Sequence, residues 1–277
     1  MTSINCKGKI LDLSEPRVMG IINATPDSFY EGHIKLGTEG ILAVAGKMIE
    51  DGADILDIGG QSTKPGSKPI SVAEELDRVI PVIKAVHEKY PGIIISIDTY
   101  SSQVAIAAVA EGASMVNDIS GGNLDDAMIA IVADLKVPYV CMHMKGTPAT
   151  MQKEPAYDNV VKEVLDHFIF KLEECSKAGI IDIIIDPGFG FGKTIQHNFQ
   201  LLKNLSVLKI TGRLILVGLS RKSSIYKTLG ITVSEALNGT TVVNTMALLN
   251  GASILRVHDV KEAKEAVKLY SAYKKAP

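Results

Sequence analysis

Short apolar runs alternate along this chain with longer stretches whose apolar residues recur every three or four positions. The runs read as strands: Arg17–Ile22, Ile55–Ile58, Ile93–Ile97, Ser114–Asn117, Val137–Met142, Ile181–Ile185, Leu214–Val217 and Ser253–Arg256. Each is of strand length, and several are bounded by turn residues, as buried strands are. The stretches between them read as amphipathic helices. Thr38–Asp51 sets Ile41, Leu42, Ala45, Met48 and Ile49 on one face and stops at Gly52. Ser71 with Glu74 has the capping-box spacing ahead of Leu76, Val79 and Ile80, and Pro81 is expected to break or kink that helix. Asp158–Lys177 is long, amphipathic and closed by Gly179, and Asp259 with Glu262 marks the start of a terminal helix. Eight strand-then-helix units predict parallel strands joined by right-handed crossovers, hence an α/β fold of the (β/α)8 TIM barrel type. An open doubly wound sheet is the alternative. Ile4–Asp12 around Gly8 reads as an N-terminal β-hairpin covering the bottom of the barrel. No linker or low-complexity segment divides residues 1–277, so a single domain is expected.

Composition narrows the setting. The chain is 46% hydrophobic and lacks Trp, so aliphatic residues must fill the core. The net charge is -2 without a long basic run, which argues against nucleic acid or an anionic membrane as partner. Cys6, Cys141 and Cys175 are scattered without metal spacing, as free thiols of a reducing compartment would be. With no apolar leader and no membrane-length run, a cytoplasmic protein is expected. The sequon at Asn238-Gly239-Thr240 then carries no meaning.

Chemistry-bearing residues collect where strands end, which in a barrel is the active face. The first strand leads into Asn23–Phe29 and the second ends at Asp57 before Gly59–Gly66. The third ends at Asp98-Thr99, the fourth at Asn117-Asp118 and the fifth at Met142-His143-Met144. Asp186 closes the sixth, Ser220-Arg221-Lys222-Ser223 follows the seventh, and Arg256-Val257-His258-Asp259 the eighth. Singly, each has a plainer explanation: Asp118 or Asp259 could be a helix N-cap, and His143 a satisfied core histidine. Caps alone do not explain a polar cluster at every strand end.

The string Asp186-Pro187-Gly188-Phe189-Gly190-Phe191-Gly192-Lys193 is neither of the common glycine loops. A P-loop needs glycine where Pro187 stands, and the dinucleotide pattern needs it at Lys193. Glycines here let the backbone approach a flat or anionic ligand, and Asp186 can accept two hydrogen bonds from it. Asp98, Asn117 and Asp186 suit a neutral heterocycle with several N–H donors, such as a 2-amino-pyrimidinone edge. Met142 and Phe191 would supply soft or flat walls. The other half of the set is cationic: Arg221, Lys222, Arg256 and His258, in the loops where barrels commonly hold phosphate. Arg221-Lys222 could also be no more than a solvated turn. No His, Cys or Glu spacing matches a zinc or di-iron site. A metal, if used, would be Mg2+ arriving with a diphosphate, with Asn23 a plausible ligand.

Taken together, Met19–Phe29, Gly59–Gly66, Ile97–Tyr100, Asn117–Gly122, Met142–Met144, Asp186–Lys193, Ser220–Lys222 and Arg256–Val260 resemble the motifs of the dihydropteroate synthase family, in that family's order. The resemblance covers nearly the whole chain. It implies a TIM barrel, a homodimer, and the joining of 6-hydroxymethyl-7,8-dihydropterin diphosphate to 4-aminobenzoate with release of diphosphate. Carried over by motif, Asp98, Asn117, Asp186 and Lys222 would hold the pterin, with Met142, Phe191 and Arg256 packed around it. Asn23, Arg256 and His258 would hold the diphosphate and its Mg2+, so that Asn23, Lys222, Arg256 and His258 carry the chemistry. Phe29, Thr63, Lys64, Pro65 and Ser223 would frame the aminobenzoate. The loops Thr25–Lys35 and Gly59–Lys68 would be mobile lids.

The chain departs from the family pattern in its lids. Lys64 stands where Arg is usual and lacks the guanidinium fork. Glu31 stands for Asp, and Gln61 for a frequent Glu. The absence of a nucleophile fits the family mechanism, in which the C–O bond to diphosphate breaks first and the ring delocalises the resulting methylene cation. A non-catalytic pterin-binding paralogue is the main competing reading, supported only by Lys64 and Glu31. A corrinoid-dependent methyltetrahydrofolate methyltransferase would lack Ser62–Gly66 and the terminal Arg-Val-His-Asp. An unrelated sugar-phosphate barrel would leave the Asp and Asn set unexplained.

Overall fold

The computed structural model describes residues 2–24, 29–30, 34–35, 37–62, 69–147, 150–151 and 155–277. Thr63, Lys64, Pro65, Glu31 and the side chain of Phe29 lie outside the described residues, as does most of both expected lids.

The chain opens with a hairpin, β1 (Ser3–Cys6) and β2 (Lys9–Asp12), paired antiparallel. Its two-residue turn takes positive φ at both Lys7 (52°) and Gly8 (90°), the geometry that matches strand twist. β3 (Arg17–Asn23) follows, and β4 (Phe29–Tyr30) with β5 (Ile34–Lys35) forms a small ribbon. The remaining strands alternate with helices. In chain order they are α1 (Thr38–Glu50), β6 (Ile55–Gly59), α2 (Val72–Lys89), β7 (Ile94–Asp98), α3 (Ser102–Ala110), β8 (Met115–Asp118), α4 (Met128–Leu135) and β9 (Tyr139–Met142). Next come α5 (Val160–Ala178), β10 (Ile183–Asp186), α6 (Ile195–Lys203), a 3-10 turn Leu205–Thr211, β11 (Leu214–Val217), α7 (Ser223–Leu229), α8 (Leu237–Leu249), β12 (Ile254–Val257) and α9 (Val260–Lys275). Among the described residues, β3, β6, β7, β8, β9, β10, β11 and β12 close into a parallel barrel with β12 pairing back onto β3. All eight expected strands are therefore present. The sixth starts two residues late because Ile181 is 79% exposed, outside the barrel wall.

Side-chain alternation divides the barrel. Val18, Leu56, Ile95, Val116, Ile185 and Leu255 join the helices in one large core. Their neighbours Met19, Ile55, Ile94, Met115, Val140, Ile184 and Ile254 point inward. Ile4, Cys6, Leu11 and Leu13 of the hairpin segment close this inner core from below, as expected. Two residues further along the strands, the inward positions become Asp57, Asn117, Met142, Asp186 and Arg256. The period of two thus carries an apolar floor into a polar rim on the same face.

Three expected local details differ. Pro81 does not break α2, which runs unbroken from Val72 to Lys89. Pro81 and Asp77 are both exposed, so the carbonyl that loses its helical donor can turn to water. The Ser71 side chain caps the Glu74 N–H, but Glu74 pairs with Arg78 instead of completing the capping box. The terminal helix α9 does start behind Asp259 as expected, but without a side-chain cap, because that carboxylate is committed to Arg221.

Candidate active site at the strand ends

Asp98, Asn117, Met142, Asp186, Phe191, Lys222 and Arg256 line one cleft, together with Ile119, Gly188, Phe189 and Gly218. The seven sequence-predicted residues come from the ends of β7, β8, β9, β10 and β12 and from the loops after β10 and β11.

A charge network forms one side. Arg256 Nε donates to Asp57 Oδ2 at 2.6 Å and Nη2 donates to Asp98 Oδ2 at 2.6 Å. Asn117 Nδ2 donates to the same Asp57 oxygen at 2.9 Å. Asp57 is fully buried, and its Oδ1 has no partner among the described residues. Burial, opposed by Arg256 and reinforced by Asp57, raises the Asp98 carboxyl above the ordinary range, since two carboxylates share one guanidinium. Asp57 has a structural part that the sequence reading left unassigned: it orients both Arg256 and Asn117. Its position two residues above Ile55 on the inward face was the available signal.

The opposite side is built by the glycine loop. Asp186 Oδ1 accepts the Gly188 N–H at 2.7 Å, which folds the turn back over the strand end. Burial raises the Asp186 carboxyl, while that N–H and the Lys222, Arg256 and Lys193 cations oppose the rise. Gly188 has φ +68°, and a Cβ there would overlap the His143 carbonyl oxygen. Lys222 Nζ sits 4.3 Å from the Phe191 ring centroid, a cation–π contact. Burial first, and the Arg256 charge second, lower Lys222 to about 8. Phe191 and Met142 pack with Ile119 and Met151, an apolar wall of which Ile119 and Met151 were not foreseen.

The anion-side residues are more dispersed. His258 lies exposed at the rim with Nδ1 2.9 Å from Ser220 Oγ. Partial desolvation among the neighbouring loops, and the Arg256 cation second, hold its pKa below the usual value. Asn23 is exposed at the end of β3, in register with Gly59, and is not among the cleft-lining residues. Ser223 is the first residue of α7, adjacent to Lys222 but also outside that lining. Arg221 corrects the sequence reading. Its guanidinium pairs with both Asp259 oxygens (2.9 and 2.8 Å) and donates to the Val233 and Ser234 carbonyls (3.0 and 3.1 Å). It braces the two loops and leaves Lys222 and Arg256 as the cations that line the cleft, with His258 at the rim. Asp118 is likewise no helix cap: it holds the turn after β8 through Ser120 and Gly122 and accepts the Tyr139 hydroxyl at 2.8 Å.

Residues 19–258 match the model of the family described as pterin binding enzyme, so the chain belongs to that family. Dihydropteroate synthase of Escherichia coli strain K12 is 43% identical over 268 residues, covering 96% of this chain and 94% of that protein. The synthase of Haemophilus influenzae is 42% identical, covering 95% and 96%. Among solved structures, Xanthomonas albilineans dihydropteroate synthase with 4-aminobenzoic acid superposes with a TM-score of 0.92 at 41% identity, over 100% and 99% of the chains. The same organism's enzyme in complex with 7,8-dihydropteroate gives 0.90 at 40% identity, over 99% and 100%.

Proposed function

We propose that the strand-end cleft carries the dihydropteroate synthase reaction of folate biosynthesis in the following way. Asp186 and Asn117 accept and donate along the pterin edge, with Asp98 beside them. Phe191 and Met142 sandwich the ring, and Lys222 serves its acceptors. Arg256, steadied by two carboxylates, faces the diphosphate together with His258. As the methylene–oxygen bond breaks, the ring becomes electron-poor, and Asp98 and Asp186 offset that charge while Arg256 and His258 offset charge on the leaving group. The arylamine of 4-aminobenzoate is neutral at pH 7 and attacks the methylene without a strong base. The convergence of seven predicted pterin residues in one cleft carries this reading.

Mg2+ belongs to the same proposal. Among the described residues no group of three or more His, Cys, Asp or Glu could hold a metal ion. Asn23, at the end of β3, would supply one amide oxygen to a cation arriving with the substrate diphosphate. Mg2+ would offset diphosphate charge when bound.

A homodimer and a cytoplasmic location complete the reading. An exposed apolar groove between α8 and α9, lined by Leu237, Leu249, Leu269, Tyr270 and Tyr273, supports pairing with a second copy. Among the described residues no helix is long and apolar enough to cross a membrane.

The test is diphosphate release from dihydropterin diphosphate with Mg2+, with and without 4-aminobenzoate. Release that requires aminobenzoate and yields dihydropteroate is expected. Pterin binding without turnover would favour a non-catalytic paralogue and implicate Lys64 and Glu31.

A further inference from the structure

Lys193 ends the glycine loop, yet it does not line the cleft. Its side chain is buried, 3% exposed, and runs beneath the loop. Nζ donates to the Gly188 carbonyl at 3.0 Å and the Phe191 carbonyl at 3.1 Å, and lies 2.9 Å from His143 Nδ1. A weaker contact reaches the His143 carbonyl at 3.4 Å. Burial, with Lys193 beside it, lowers the His143 pKa to about 2, so the ring is neutral, and in the Nε2–H tautomer its Nδ1 accepts from Lys193.

Burial lowers Lys193 to about 7 against the pull of Asp186, and a buried amine, charged or neutral, is costly unless its donors are used. Here its donors reach both ends of the turn that carries Phe191, and the loop after β9. The two loops approach so closely that a Cβ on Gly188 would strike the His143 carbonyl, and one on Gly192 would lie 2.5 Å from the Lys145 carbonyl. The Tyr157 hydroxyl adds a second tie, donating to the Gly192 carbonyl at 2.9 Å. Gly188 and Phe191 are also the residues whose backbone and ring meet Asp186 and Lys222 in the cleft.

We propose that Lys193 is a positioning residue for the heterocycle: its Nζ clamps the Gly188–Phe191 turn onto His143 and so holds the Phe191 ring and the Asp186 carboxylate in their binding geometry. The inference rests on the cleft being the pterin site. Lys193 touches no reacting atom, so its loss acts on pterin affinity and leaves the aminobenzoate KM nearly unchanged.

The experiment measures binding of 6-hydroxymethylpterin diphosphate by calorimetry to Lys193→Met, with Asp186→Asn as a reference and circular dichroism as the folding check. Lys193→Gln serves as the second variant, because its amide stops one bond short and reaches at most one of the two carbonyls. The expected result is a loss of about tenfold or more for Lys193→Met and a smaller loss for Lys193→Gln, with the aminobenzoate KM within about twofold of wild type. If only Asp186→Asn weakens binding, the clamp is wrong and the pterin site stands. If no variant weakens binding, the pterin assignment of the cleft fails, and the clamp with it. An aminobenzoate KM that rises in step with pterin affinity would mean a general loss of structure and would overturn the positioning role.

Discussion

Arg256 Nε lies 2.6 Å from Asp57 Oδ2 across 199 residues of chain. β12 and β6 both flank β3, so closure of the barrel brings their inward-facing ends together. Truncating one partner of a buried charge pair leaves the other uncompensated and costs about 3–5 kcal/mol. Asp57→Ala is expected to lower both unfolding free energy and kcat/KM, the latter by about a hundredfold, because Arg256 and Asn117 lose their common anchor. Denaturant titration and steady-state kinetics check this; wild-type kcat/KM in the variant would remove Asp57 from the arrangement.

Asp186→Asn keeps an oxygen for the Gly188 N–H and removes the charge. The fold is expected to survive while pterin affinity falls by about a hundredfold, roughly 3 kcal/mol, the scale of one preorganised charged contact. Calorimetric titration with the pterin substrate is the measurement, and unchanged affinity would refute the assignment.

The pH profile follows from Lys222 and Asp98. Burial and Arg256 lower Lys222 to about 8, so its cation is present below that pH and lost above it. kcat/KM for the pterin substrate is therefore expected to fall as pH rises through about 8. On the acid side the raised Asp98 carboxyl gains a proton above the usual carboxylate range, and kcat/KM falls there too. Lys222→Met should abolish the alkaline limb. Its persistence in that variant would assign the limb to another group.

Gly188 and Gly212 have nearly the same positive φ, +68° and +66°, but a Cβ at Gly212 meets nothing within 4 Å. Gly212→Ala should cost about 1–2 kcal/mol, the left-handed penalty alone. Gly188→Ala should cost more, because the His143 carbonyl must move as well, and should also weaken pterin binding. Urea midpoints of the two variants compare them directly; equal midpoints would show that the contact yields without cost.

Arg221→Met separates a brace from a ligand. Four hydrogen bonds to Asp259, Val233 and Ser234 are lost, so the melting temperature is expected to drop. The pterin-diphosphate KM should stay within about threefold of wild type. A KM rise as large as that of Lys222→Met would return Arg221 to the anion site.

Most of the fold was legible because it depends on local periodicity. Apolar runs of strand length alternating with amphipathic helices leave few arrangements other than a parallel barrel, and the eight strands lie where the pattern puts them. Boundaries moved where a pattern residue met solvent, as at Ile181. Pro81 misled because its effect depends on whether the helix face it interrupts is wet, which one-dimensional reading does not show.

The site was legible to a different depth. Polar residues at strand ends carry unusual chemistry, so Asp98, Asn117, Asp186 and Lys222, which the structure gathers in one cleft, stood out from the chain itself. Supporting residues did not. Asp57 and Lys193 were read as a strand end and the last residue of a loop, and Arg221 as an anion ligand. Their parts depend on which groups barrel closure sets within 3 Å of them. By itself the sequence determined the element order, the apolar floor and the chemical character of the rim, because these follow from residue type and spacing. Only the tertiary structure decided which charges pair, since hydrogen bonds act over a few ångströms between residues as far apart in the chain as Asp57 and Arg256.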